Sequence, residues 1–219
     1  MHSYKNVRNA HVYVRTGIVS APVEPEGLMC YQITAIIILI TFYAFYFAKI
    51  VIQGKQNIKT NRMGVGNKSA KVLMIERITA CATVLALVSG VCSILWVRQF
   101  PTTAVRVTGI ILGILGVLCF ALATTTMKSA WRVGIPEEKT MLITRGIYSI
   151  SRNPAFVGFD LMFLSICFMF YNLPLMLCSS FAMVMLHLQI LQEEEHMHRM
   201  FGEEYEAYRK HTYRYWGRR

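Results

Sequence analysis

The chain has 219 residues, 54% of them hydrophobic, and a formal net charge of +11, with a mean hydropathy of +0.40. This is more apolar than a soluble domain of similar length, and the apolar residues fall in blocks of roughly 18–25, enough to cross ~30 Å of hydrocarbon. The composition indicates an all-α integral membrane protein whose positive charge marks a basic membrane face and not a nucleic-acid surface.

Residues 1–27 read as a polar tail. Its early charges are not followed closely enough by an apolar run to make a signal peptide. Residues 28–219 read as one membrane domain with five predicted spans, over about 28–52, 74–97, 105–126, 154–171 and 174–190. The loop after the first span is basic and contains Gly64-Val65-Gly66. With no preceding strand and no third glycine, it reads as a flexible loop and not a nucleotide fingerprint. Glu76 and Arg77 at the entry to the second span are expected to stay partly hydrated. The third span carries Gly109 and Gly113, a GxxxG spacing that lets another helix approach closely. The six cysteines, none in a CxxC pair, read as packing residues, with no disulfide framework and no metal site.

A polar connection from Lys128 to Asn153 then leads into the fourth span, and Asn172-Leu173 joins the fourth and fifth spans as a tight helical hairpin. Asn153-Pro154 is a helix-start signal, with Asn as N-cap and Pro in the first position. The same start offers free N–H groups and partial positive charge to an anion, with Arg152 beside it and Gly158 one turn on leaving room for close approach. Tyr148 fits either an interfacial anchor or a ring packed on a cation or purine. Asp160, inside the fourth span, is a functional suspect by location. Glu193-Glu194-Glu195 falls at the end of the fifth span, where the helix dipole disfavours anions, so these acids need a positive partner; Arg152, Arg145 and a bound cation are candidates. Residues 192–219 read as an extension of the fifth helix into water that then folds against the polar face. Of the 23 basic residues, eighteen fall on the side of the C-terminus and five on the other, which places that side, and the site, in the cytoplasm.

The stretches Leu142–Tyr148, Ser151–Gly158, Glu193-Glu194 and Phe201–Tyr208 together resemble the isoprenylcysteine carboxyl methyltransferase family, whose broader kin are the phospholipid N-methyltransferases. Several separated motifs in register carry the likeness, densest from about residue 140 to 210. The resemblance implies a membrane methyltransferase that uses S-adenosyl-L-methionine. Carried over by position, the cofactor would touch Thr140, Met141, Leu142, Ile143, Tyr148, Asn153, Pro154, Ala155, Phe156 and Glu193. Arg152 and Glu194 would take the catalytic roles, and Gln189 and Trp131 would meet the substrate. Asn153 stands where the family has His, Phe156 where it has Tyr, and Gln189 where the eukaryotic members have a substrate-linked Arg. The implied activity is methyl transfer to a lipophilic acceptor that enters from the bilayer, with carboxyl O-methylation of an isoprenylcysteine-like substrate first and amine or phospholipid N-methylation as the alternative. A non-enzymatic scaffold or a transporter is the rival of another class; the internal repeat or broken helices expected of a transporter are not seen.

Overall fold

A computed structural model describes residues 25–96, 101–136 and 141–218. The described chain is all helical: α1 Pro25–Lys55, α2 Ala70–Trp96, α3 Thr103–Met127, α4 Pro154–Met169, α5 Leu173–Phe201 and α6 Glu203–His211, with short 3₁₀ turns at Lys128–Ala130 and Gly146–Ser149. Four of these, α1, α2, α3 and α5, are long and apolar enough to cross a membrane. The fourth predicted span is the exception to the five-span expectation. α4 has 16 residues, about 24 Å at 1.5 Å per residue, short of the ~20 residues a full crossing uses. Its far end lies near the end of α2: Asn172, just past α4, donates from Nδ2 to Ser93 Oγ at 2.8 Å, and Ser93 lies three residues before the end of α2. Asn172 also caps α5 by accepting from the Leu175 amide at 3.0 Å, which fixes the hairpin between α4 and α5.

The glycine spacing on α3 sets its packing on α4. A Cβ on Gly109 would lie 2.8 Å from the Ser165 carbonyl, and one on Gly113 would lie 2.6 Å from Ser165 Oγ. Gly116 and Gly158 face each other, each Cβ position 3.0 Å from the other's carbonyl oxygen. Gly158 therefore serves this helix contact and not close approach to a ligand. The closeness lets Phe120 of α3 pack with Phe42 of α1 at 4.7 Å and with Phe159 of α4 at 5.4 Å between ring centroids. Trp131 closes this aromatic core edge-on, 5.9 Å from Tyr46 and 6.0 Å from Phe120.

The polar end of the bundle is tied by buried groups. Glu76 is fully buried, contrary to the expectation of partial hydration. It accepts from Gly64 N at 2.7 Å, Ile135 N at 2.9 Å and Lys68 Nζ at 2.8 Å. Gly64 takes a φ of +68°, open to glycine at little cost. Gln53 of α1 accepts from Thr60 Oγ1 and donates to the carbonyls of Lys128 and Trp131. The Gly64–Gly66 loop and the 131–135 segment are thus pinned to α1 and α2, because buried polar groups are costly unless they are paired. All six cysteines are free thiols.

Gly116→Leu is expected to destabilise the detergent-solubilised protein in thermal unfolding, by on the order of 1–3 kcal/mol from overpacking. Gly54→Ala, where an added Cβ meets nothing within 4 Å, should leave stability level or raise it. Equal losses in the two variants would contradict the packing role of Gly116.

Candidate active site

α5 runs to Phe201, about 44 Å for its 29 residues. The glutamates at 193–195 therefore lie two turns inside the helix, away from the last turn where the dipole acts. Their expected positive partners come from two places. Glu194 Oε1 accepts from Arg152 Nε at 3.1 Å, Arg152 Nη2 at 2.9 Å and Asn153 Nδ2 at 3.0 Å. Glu194 Oε2 accepts from Arg214 Nε and Nη2, both at 3.0 Å. One buried carboxylate thus joins the entry to α4, the C-terminal third of α5 and the C-terminal turn. The Glu194 hydrogen bond, first, holds the Arg214 guanidinium above its ordinary pKa. Arg152 is the expected partner. Arg214 was not foreseen; its place in a run of basic C-terminal residues gives no signal of a buried pairing.

Asn153 departs from the expected N-cap. Its side chain makes no cap hydrogen bond; its amide instead donates to Glu194 and to the Arg214 carbonyl at 3.2 Å. The first turn of α4 is left without a side-chain cap, so its amide N–H groups suit a carboxylate from outside the chain. The C-terminal segment completes the clasp. Arg152 N donates to the Tyr213 carbonyl at 3.0 Å and Gly217 N to the Ile150 carbonyl at 2.7 Å, while Tyr208 Oη donates to the Tyr148 carbonyl at 2.6 Å.

Around this clasp lies a polar cavity of about 120 Å³, into which Met141, Leu142, Ile143, Tyr148, Arg152, Asn153, Ala155, Phe156, Glu193 and Glu194 contribute, with Trp131, Tyr205 and Tyr208 among its other walls. The structure therefore brings nearly all of the sequence-derived residues to one place. Pro154 is fully buried at the head of α4, and Thr140 lies outside the described residues. Tyr205 and Tyr208 belong to the motif that carried the resemblance, and their three-residue spacing on α6 was the available signal that both face the cavity. Burial drives the phenols of Tyr148 and Tyr208 upward and that of Tyr205 to about 12. All three therefore remain neutral hydroxyls near pH 7.

A second cavity, of about 310 Å³, is apolar and aromatic. Tyr43, Tyr46 and Phe47 line it from α1, Thr79, Thr83, Val84 and Leu87 from α2, and Phe120 and Phe159 from the core. The two cavities share Trp131, Arg132, Ala155, Phe156 and Glu193 as walls. Gln189 faces the apolar one. Its Nε2 donates to Glu193 Oε1 at 2.9 Å. Gln189 Oε1 is buried without a partner. Asp160 sits on α4 outside both linings, its Oδ1 likewise buried without a partner.

Residues 104–204 match the phospholipid methyltransferase family. In this segment the chain is similar to membrane methyltransferases related to the isoprenylcysteine carboxyl methyltransferases. The phospholipid methyltransferase match covers α3, α4, α5 and the connection carrying Trp131 and Tyr148; α1, α2 and the Arg214 turn lie outside it. Comparison with curated proteins gives no match. The residues of the polar cavity fit the methyl donor such enzymes use. Uncapped amides at α4 suit its carboxylate, the Glu193 carboxylate suits a cationic group, and aromatic walls suit a sulfonium or a purine.

Glu194→Gln removes the charge that both guanidiniums share, so residues 203–218 are expected to exchange amide hydrogens at least tenfold faster, in line with the ~3–5 kcal/mol cost of breaking a buried pair. Unchanged exchange in that segment would show that the clasp does not depend on Glu194.

Proposed function

We propose that the protein is an S-adenosyl-L-methionine-dependent methyltransferase that methylates an amine on a lipid held in the membrane. The observation that carries the choice of acceptor is the unpartnered Gln189 Oε1 beside Glu193, where the two cavities meet. An amine or ammonium brings N–H donors to such acceptors and, if charged, is attracted by Glu193. A carboxylate brings no donor and is repelled. The aromatic walls of the apolar cavity add a surface that favours a cation.

Bound S-adenosyl-L-methionine supplies the methyl group as a sulfonium. Met141–Ile143, Tyr148, Asn153, Ala155, Phe156 and Glu193 form its cavity, and Thr140 and Pro154 join them by the resemblance. Glu193 and Gln189 orient the acceptor, and the Glu193 carboxylate takes the proton that an ammonium must lose before its nitrogen can attack. The cavity walls hold nucleophile, methyl and sulfur in line and exclude water. Arg152 and Glu194 act as positioning residues here: Arg152 and Asn153 occupy one Glu194 oxygen and Arg214 the other, which leaves none for proton transfer. Trp131 and Arg132 stand at the junction of the cavities, where a guanidinium suits the phosphate of a phospholipid. The lipid enters between α1 and α2, past Phe47 and Val84, which line the apolar cavity and are each 58% exposed. The excess of basic residues puts the site on the cytoplasmic side.

The second reading is carboxyl O-methylation of an isoprenylcysteine-like acceptor. It is favoured by the motif resemblance and by Arg132, whose side chain lines both cavities.

Membranes containing the protein, given donor labelled in its methyl group, are expected to yield label in a base-stable lipid. Label in a base-labile ester would select the second reading, and no protein-dependent label in any fraction would reject both. Gln189→Arg puts a cation where the acceptor amine would sit, and Glu193→Gln removes the attracting charge. Each is expected to lower kcat/KM for an amine lipid by roughly 10²-fold or more, the size of losing a charged contact at a reacting centre. Wild-type rates in Gln189→Arg would contradict the placement of the acceptor.

A further inference from the structure

The last residues form a compact turn that the methyl-transfer site uses only in part. Tyr213 N donates to the Gly217 carbonyl at 3.1 Å, and Thr212 pairs with Arg218 as an isolated antiparallel bridge. Gly217 adopts a φ of +117°, a conformation that glycine takes readily. One side of this turn faces the site through Arg214. The other side carries Tyr213, Tyr215 and Trp216, exposed by 43%, 38% and 57%. Exposed Lys210, Arg209 and Arg218 flank these rings. α6 feeds the turn with its charges sorted: Glu203, Glu204 and Glu206 stand in its first turn, and Arg209, Lys210 and His211 in its last.

The turn also has a fixed depth. The Tyr215 hydroxyl shares a hydrogen bond with His187 Nδ1, and the two rings stack with centroids 5.9 Å apart. His187 lies seven residues before Glu194 on α5, about 10 Å closer to the apolar middle of the helix at 1.5 Å per residue. The aromatic tip thus reaches down the outside of α5 toward the hydrocarbon, while the cations stay at the polar end. Rings at that level between lysines and arginines have the composition of a bilayer interface.

We propose that the Thr212–Arg218 turn, with Arg209 and Lys210, is a docking surface for anionic phospholipid headgroups. Tyr215 and Trp216 seat in the interface, and Arg209, Lys210 and Arg218 engage the phosphates. The surface is independent of which acceptor is methylated. Each cation near an anionic membrane surface is worth roughly a fivefold change in equilibrium at moderate salt.

The full chain in nanodiscs of neutral phosphatidylcholine, and in nanodiscs with added phosphatidylglycerol, provides the test by hydrogen exchange of residues 209–218. Exchange is expected to slow severalfold in the anionic discs, and high salt should reverse the effect. The combined variant Arg209→Gln, Lys210→Gln and Arg218→Gln should lose it, while protection of α2 and α5 confirms that this variant is folded. Trp216→Ala should lower protection in both kinds of disc. Equal protection in the two discs would overturn the proposal. So would inorganic phosphate protecting the turn in neutral discs as well as the anionic lipid does, since that outcome marks a free-anion site.

Discussion

A carboxylate inside a largely apolar helix bundle is unfavourable unless its charge is answered on every side, and Glu194 shows how that requirement organises this protein. Both of its oxygens are occupied, by two guanidiniums and an amide drawn from two separate segments. The arrangement follows from the energetics. Burying the acid alone would cost several kcal/mol, so the entry to α4 and the C-terminal turn must both close on α5 for the fold to be stable. The walls of the polar cavity are the by-product of that closure, because Tyr148, Asn153 and Phe156 stand beside the residues being clasped.

Glu76 repeats the device on the neighbouring side. It holds Lys68, the Gly64 loop and Ile135 and so places Trp131 and Arg132 over the other cavity. Two anchored acids thus frame the less constrained Glu193, whose hydrogen bond runs to Gln189. The contrast assigns their tasks. Glu194 and Glu76 tie separate segments together, and Glu193, which keeps remaining capacity, lines both cavities. Close α3–α4 packing at Gly109, Gly113, Gly116 and Gly158 supplies the rigid floor beneath both cavities.

Much of this was legible in the sequence. Long apolar blocks gave the helices, Asn172 gave the hairpin, and the spacing of Tyr148, Asn153 and Glu193 brought together residues that the structure does place around one cavity. What escaped was governed by distant partners. Asn153-Pro154 has the local form of a capped helix, yet Glu194 outcompetes the cap for the Asn153 amide. Gly158 reads as room for a ligand until α3 is laid against it. Glu76 looks hydrated by position and is instead buried by a loop that returns to it. Arg214 has no periodicity to mark it, and its partner is twenty residues away. The fourth predicted span corresponds to α4, an apolar helix of 16 residues that is shorter than the other four.

The central claim is that donor and acceptor meet at the seam of the two cavities, between Glu193, Gln189 and the Ala155-Phe156 turn. The most direct measurement is an experimental structure of the full chain with S-adenosylhomocysteine bound. The account predicts its sulfur at this seam, pointing toward the aromatic cavity, with its carboxylate at the first turn of α4. A molecule bound elsewhere, or a sulfur directed away from Glu193 and Gln189, would contradict it.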